Sequence, residues 1–507
     1  MDPKDLLSSE KLSILDKIDP KYRCYYKWFL ALTEIYHPTY HSEEITSMIV
    51  TWCTILGVEP ESDENYNIVI RIPANQMPET TPVIALQAHT DMVLVGELFD
   101  NKVKVEYQEI DGKQILVSPH STLGADDGFG VALILEIIEK RDQFKHGPLE
   151  LILTSDEEKG LVGVRKLPSK NSKNSSPISP FEFRYLINMD ALSGDKVYIG
   201  SAGGTLFNFS LGFSPIDAKP EKSYITLSVE NLTGGHSGGA IHFGRGNAIK
   251  WIVSILLSQS IEFSLCKLTG GTALNAIPTN CEAVVSVISS DSKQFVENCK
   301  AKYNEICSQF KNIETNPKFM VQEIDFQPDF LIDPYETRKI LSFLSLIKHG
   351  PIRMHPEFTA IVDTSQCLSL VSISGSNINV CVFSRSNTSY QLKIIDEEMK
   401  SLMFLYGESL KCSIADAGTP WEPKLGSELA SKMIKSFENQ NSILLEEGLL
   451  HVTIEPAQFK QLGYTDAEMI AVCPSIPKAH CIGEFMDINE AIRWRNAIIH
   501  LLSQVSD

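Results

Sequence analysis

The strongest constraint on the fold of this chain is the way its apolar runs end. VIALQAHTD, LELILTSDEE and YLINMD finish in acidic residues: Asp91, then Glu157 and Glu158, then Asp190. A fourth acidic point is the turn TLGADDGFG, which sets Asp126 and Asp127 where the apolar stretch GVALILEIIEK begins. Short continuous runs of Val, Ile and Leu that alternate with helical stretches predict a mostly parallel sheet covered on both faces. In open sheets of that kind, ligands bind outside the carboxyl ends of the strands. All of these acids fall on that one edge or on the loops leaving it. One acidic turn is an ordinary surface feature; four on one edge are not.

Six carboxylates (Asp91, Asp126, Asp127, Glu157, Glu158 and Asp190) converging without a cation would be costly, through desolvation and mutual repulsion. A pair of divalent metals removes that cost. With His89 beside them, the mix of imidazole and carboxylate suits zinc, or manganese and cobalt as substitutes. A two-metal site needs a bridging carboxylate, terminal ligands on each ion and a free base. The His89-x-Asp91 spacing also makes sense, because an acid beside a ligating histidine fixes its tautomer.

Length asks for more than one domain, since 507 residues exceed what a single core usually holds. The first ~60 residues carry apolar positions at helical spacing, and Ser42, Glu43 and Glu44 mark a helix start. From about Tyr224 the texture changes. YITLSVENL, EFSLCKLTGG, EAVVSVISS and NINVCVFSR alternate apolar with polar residues and predict antiparallel strands with one wet face. After Cys412 the α/β texture returns. The predicted architecture is therefore α/β: a mixed, mostly parallel sheet flanked by helices, interrupted by an inserted α+β domain. The boundaries fall at 1–210, 211–400 and 401–507. Residues 168–180, PSKNSKNSSPISP, read as a polar loop.

A net charge of −19 argues against nucleic acid or an anionic membrane as the main partner. No apolar run reaches the ~18 residues of a membrane span. The N-terminal stretch has neither a signal-peptide core nor an Arg-rich transit pattern. Eleven cysteines without a CxxC pair read as reduced thiols, so the expected location is cytoplasmic.

Other chemistries fit less well. Two acids in GADDGFG would repel a phosphate, and the turn is neither GxGxxG nor a Walker loop. HExxH is absent. GHSGG, residues 235–239, is formally GxSxG and offers Ser237 as a serine-hydrolase nucleophile. That elbow needs a parallel strand, a sharp turn and an immediate helix, whereas here an alternating strand precedes and AIHFGRG delays the helix.

QAHTDMV, TLGADDGFG, TSDEEKGLVG, LINMD, SAGG, GGHSGGAIHFGRGNAIK, LTGGTALNAIP and VFSRSN, in this order and over nearly the whole chain, resemble the aminoacyl-histidine (Xaa-His) dipeptidases of the co-catalytic zinc aminopeptidase/carboxypeptidase clan. The resemblance implies His89 and Asp190 on one metal, Glu158 and a late histidine on the other, and Asp126 bridging. It makes Asp91 the orienter of His89 and Glu157 the general base. The late histidine is matched to His451 in GLLHVTIEP, where only His451 and Glu455 of the family's usual pattern remain. His480 in PKAHCIGE competes for that role, although its place better matches a substrate-side histidine. Asp127 stands where the family often has Asn. The inserted domain resembles a lid and dimerisation domain, with His236 polarising the scissile carbonyl and Asn275 and Arg385 binding the substrate carboxylate. A planar guanidinium suits that task.

The function so implied is two-metal hydrolysis of dipeptides of the Xaa-His type, β-Ala-His included, by a homodimer holding two divalent ions, zinc first. A related metal-dependent deacylase or carboxypeptidase, a Ser237 hydrolase and a non-catalytic relative are the alternatives.

Overall fold

The structure, a computed structural model, describes residues 3–172, 176–191, 193–217, 222–325, 328 and 330–505. The centre of the polar loop expected over 168–180, residues 173–175, lies outside them. The chain forms two compact units: Met1–Ser201 with Trp421–Leu450 and Ile454–Asp507, and Ala202–Pro420 with His451–Thr453.

Among the described residues, the first unit holds a sheet of eight strands. Their spatial order is Glu61–Ser62, Ile68–Ile72, Leu149–Thr154, Ile84–His89, Tyr185–Asn188, Glu468–Ala471, Lys196–Ser201 and Glu446–Leu450. The centre is parallel, with Ile84–His89 between Leu149–Thr154 and Tyr185–Asn188, and Glu468–Ala471 running the same way. Ile68–Ile72 is antiparallel to Leu149–Thr154, and Lys196–Ser201 is antiparallel to Glu468–Ala471. The sheet is therefore mixed around a parallel core. Every residue of Ile84–His89 and Leu149–Thr154 is buried. Burial on both faces is why these segments read as unbroken apolar runs. Parallel direction then delivers His89, the acids after Thr154 and Asp190 after Asn188 to the same edge.

Helix Ala125–Glu139 begins at Gly124, whose φ of 75° is left-handed. Its close seat on the sheet depends on Gly130. A Cβ there would lie 2.8 Å from the Cβ atoms of both Ala88 and Met189, and 2.7 Å from Asp127 Oδ1. Ala88 precedes His89 and Met189 precedes Asp190, so the helix presses on the strand ends that carry the site. The helix is also tied to Ile488–Leu502 by a buried pair, with Arg495 Nε 2.6 Å from Glu136 Oε2 and Nη2 2.8 Å from Oε1. Helix Glu43–Ile55 starts where the sequence predicts, but Ser42 does not cap it. Its hydroxyl donates instead to Asp156 Oδ1 at 3.0 Å.

In the second unit, nine strands among the described residues form one sheet, antiparallel throughout. Its long hairpin is Val362–Ser374 with Asn377–Ser386. One face shares an apolar core with helices Ala248–Leu257, Ser292–Phe310, Pro334–Leu346 and Ser389–Tyr406. This is the α+β texture that the alternating runs predict.

Candidate functional site

At the carboxyl edge of the first sheet, Asp126 lies between two imidazoles. His89 Nε2 is 3.1 Å from its Oδ1, and His480 Nε2 is 3.1 Å from its Oδ2. His480 Nε2 is also 2.8 Å from Glu158 Oε1, yet that buried oxygen has no hydrogen bond. Ligand atoms of His89, Asp126 and Glu158 lie within 4.8 Å of one another, as do those of His89, Glu157 and Asp190. Nitrogen and carboxylate lone pairs thus converge in two overlapping groups around His89. This donor set fits divalent cations of the zinc, manganese or cobalt type.

The electrostatics agree. Burial pushes the Glu157 carboxyl well above its ordinary value, and Asp190 and Glu158 add to the rise. Burial lifts Asp190 to about 8, with Asp126 adding. For Asp126 burial acts upward too, but hydrogen bonds to His480 and His89 overcome it and hold the carboxyl low. So many buried acids are tolerable only where positive charge is supplied.

The surrounding acids have structural partners. The Asp91 carboxylate accepts from Thr39 Oγ1 at 2.8 Å and from the Glu157 N–H at 2.9 Å. His89 Nδ1 makes its hydrogen bond to the Asp91 main-chain carbonyl at 2.9 Å, with the carboxylate 3.4 Å away. Asp91 thereby fixes both an imidazole and the backbone of the acidic run. Asp127 accepts from the main chain of His89 and of Gly130, at 3.3 and 3.0 Å. Asp156 accepts from Tyr40 N at 2.7 Å as well as from Ser42.

Sequence reasoning missed the polar layer beneath. Glu455 is fully buried and takes hydrogen bonds from Gln87 Nε2 and Thr154 Oγ1, while Asn188 Nδ2 donates to Gln87 Oε1 at 2.6 Å. Glu455 stood in the sequence only as part of the resembled family's pattern, and Gln87 and Asn188 only as polar residues inside otherwise apolar strands. Glu484 was missed as well; a single acid in GEF carries no pattern.

Of the two late histidines that the sequence offers, the structure shows one beside the acid cluster. His480 stands against Asp126 and Glu158. His451 belongs to the second unit, where Ser365 Oγ is 2.7 Å from its Nε2 and Asn387 Oδ1 is 3.3 Å from its Nδ1. Both histidines follow the second crossing of the chain, so position along the sequence did not separate them.

In the second unit, His451 has Arg385 as a neighbour. Burial, reinforced by the Arg385 charge, lowers its pKa to about 3, so the ring is neutral at pH 7. Arg385 is 5% exposed. Its Nε has no hydrogen-bond partner, and its guanidinium lies 4.0 Å over the Phe383 ring. No carboxylate pairs with it among the described residues, and burial lowers its pKa to about 10. His236 is exposed, and its Nδ1 accepts from the N–H groups of Gly238 and Gly239 at 3.2 and 3.1 Å. Its ring proton is therefore on Nε2. Asn275 is exposed, and its main-chain oxygen accepts from Ser237 N at 2.7 Å. Ser237 Oγ is buried with no hydrogen-bond partner, so no base activates it. The local chain is a two-residue strand, Gly235–His236, followed by a turn, and not a nucleophile elbow.

The model of peptidase family M28 matches residues 67–207, the stretch that carries most of the acid cluster. The cytosol non-specific dipeptidase of Escherichia coli (strain K12) is 27% identical over 483 residues, covering 94% of this chain and 96% of that protein. The crystal structure of aminoacylhistidine dipeptidase from Vibrio alginolyticus superposes with a TM-score of 0.82 at 25% identity, covering 99% of this chain and all of that one. Aminopeptidase PepT from Bacillus cereus, at 13% identity and a TM-score of 0.54 over 95% of this chain and 98% of its own, shares the fold alone. The chain is thus similar from end to end to the aminoacylhistidine dipeptidase and to the cytosol non-specific dipeptidase, and the M28 match falls on the stretch that carries most of its acid cluster.

Proposed function

We propose that this protein hydrolyses dipeptides, Xaa-His dipeptides such as β-Ala-His among them, with two divalent cations, zinc first. The observation that carries the reading is Asp126 with an imidazole on each oxygen, inside a cluster of buried acids. His89 and Asp190 would hold one ion, Glu158 and His480 the other, and Asp126 both. Bound there, the ions would polarise the scissile carbonyl and acidify water.

Glu157 takes a proton from the attacking water and returns it to the leaving nitrogen. A carboxylate base works best with its pKa near the working pH, and burial moves Glu157 in that direction. Asp91 holds the Glu157 main chain and the His89 ring together. His236 presents Nε2–H to the carbonyl oxygen, a role its fixed tautomer supports. Arg385, with Asn275, receives the substrate carboxylate, and the assignment is supported by a buried guanidinium that no carboxylate pairs with among the described residues. His451 lies beside Arg385 as a neutral ring and completes the carboxylate-binding side rather than a metal site.

We place the protein in the cytoplasm as a homodimer formed through the second unit. All eleven cysteines are unpaired. Among the described residues no helix is long and apolar enough to cross a membrane.

The decisive experiment is a panel of dipeptides, tripeptides and N-acyl amino acids, assayed after chelation and again after Zn²⁺, Mn²⁺ or Co²⁺ is returned. Dipeptide turnover lost on chelation and restored by metal is expected. Turnover that survives chelation, or no turnover of any dipeptide with any metal, overturns the reading.

A further inference from the structure

We propose that Glu484 is a positioning residue for the second metal site, setting the distance between Asp126 and His480. This rests on the two-metal reading above.

Glu484 is 2% exposed, and its carboxylate has a specific task. Oε1 accepts from the Ala125 N–H at 2.8 Å, and Oε2 accepts from the Leu123 N–H at 3.2 Å. The two oxygens thus grip the residues on either side of Gly124, the left-handed residue from which the Asp126 helix starts. Asp126 is the next residue along. On its own side, Glu484 is four residues from His480. The segment between them includes two positions in the left-handed region, His480 at φ 62° and Gly483 at φ 82°. Main-chain bonds fix that segment to the same body: Gly483 N to Ser121 O at 3.2 Å, and Ser118 N to Glu484 O at 3.1 Å. Strand Phe485–Asp487 then pairs antiparallel with Lys113–Val117.

One carboxylate therefore joins the turn that carries the shared acid to the loop that carries the late imidazole. Simple filling of space does not explain it, because an apolar side chain of that size would leave two main-chain N–H groups unmatched in a buried place. Burying another acid beside Asp126 is itself unfavourable; burial, with Asp126 adding, raises the Glu484 carboxyl to about 7. A residue that opposes its surroundings in this way is retained for geometry. Asp126 and Glu158 meet His480 at 3.1 and 2.8 Å only while the two segments stay in register. An ion held by His89 and Asp190 would depend on Glu484 only through Asp126.

The test is Glu484→Gln, which keeps the shape but turns an amide NH₂ toward one of the two N–H groups. Metal-free wild type and E484Q are titrated with Co²⁺, followed by the cobalt visible spectrum and by calorimetry, with thermal unfolding of both metal-free proteins alongside. Wild type should fill two sites. In E484Q the first should fill nearly as in wild type, and the second should weaken about 10- to 100-fold, as for other residues that orient metal ligands. Two sites of wild-type affinity in E484Q overturn the proposal and leave the metal reading intact. Equal weakening of both sites, or loss of folding in E484Q, also overturns it, because Glu484 would then support the unit as a whole. Wild type that binds no Co²⁺, Zn²⁺ or Mn²⁺ overturns the metal reading and this proposal with it.

Discussion

The two units bury charge in opposite senses. The first packs Asp126, Asp127, Glu157, Glu158 and Asp190 around His89, an excess of negative charge that the imidazoles of His89 and His480 offset only in part. The second buries Arg385 against Phe383 with only imidazoles and a thiol for charged or titratable neighbours. Neither arrangement is a good way to stabilise a fold, since an unpaired buried charge costs several kcal/mol per ion. Each unit is left complementary to something outside the chain: cations for the first, a carboxylate for the second.

This contrast can be broken at several points. Glu157→Gln should lower turnover about 10²- to 10⁴-fold with both metals still bound, measured by steady-state kinetics and metal analysis on one sample. A metal-loaded E157Q protein that keeps wild-type turnover would remove Glu157 from its role as base. His480→Ala should reduce metal content to about one equivalent, because His480 stands against Asp126 and Glu158, and His451→Ala should keep two. The opposite result would restore His451 as the ligand.

Arg385→Met should act on the second unit alone. Losing a charged hydrogen-bonded contact of about 1.5–3 kcal/mol predicts a fall in kcat/KM of roughly 10- to 100-fold, carried mainly by KM. The same change should leave stability equal or raise it by about 1 kcal/mol, because an unmatched buried charge is removed. Reduced stability together with unchanged KM would mean that Arg385 has an internal partner.

The smallest effect is on pH. The folded pKa of His451 is about 3, against an ordinary value of 6.5. Between those values the unfolded chain takes up a proton that the folded chain does not, so stability falls as pH drops, by at most about 1.4 kcal/mol per pH unit. His451→Gln should flatten that part of the stability–pH curve in urea unfolding from pH 6.5 down to 4. His349, lowered to about 4 by burial, contributes the same slope and is the control that must remain.

The fold class was legible because burial on both faces leaves a direct mark on sequence: Ile84–His89 and Leu149–Thr154 had to be apolar, and their acidic endings stood out. The alternation in Asn377–Ser386 was equally direct. Ile68–Ile72 reads the same whether it runs parallel or antiparallel, so its direction was hidden. The site divided along the same line. Asp91, Asp126, Glu157, Glu158 and Asp190 mark strand ends or a glycine turn and could be found by pattern. The late histidine could not, because a loop residue reaches its partner through tertiary structure and not through periodicity. Glu484 looks like an ordinary surface acid until the main-chain donors around it are seen.

Gly130 sets a mechanical tolerance for the whole centre. With 2.8 Å between its absent Cβ and those of Ala88 and Met189, the helix has no slack against the strands that precede His89 and Asp190. A single methyl group at 130 would push those two residues away from the helix that bears Asp126, by a displacement comparable to the margin within which metal coordination tolerates error. The spacing between the ends of those strands and the helix is locked by a residue that has no side chain.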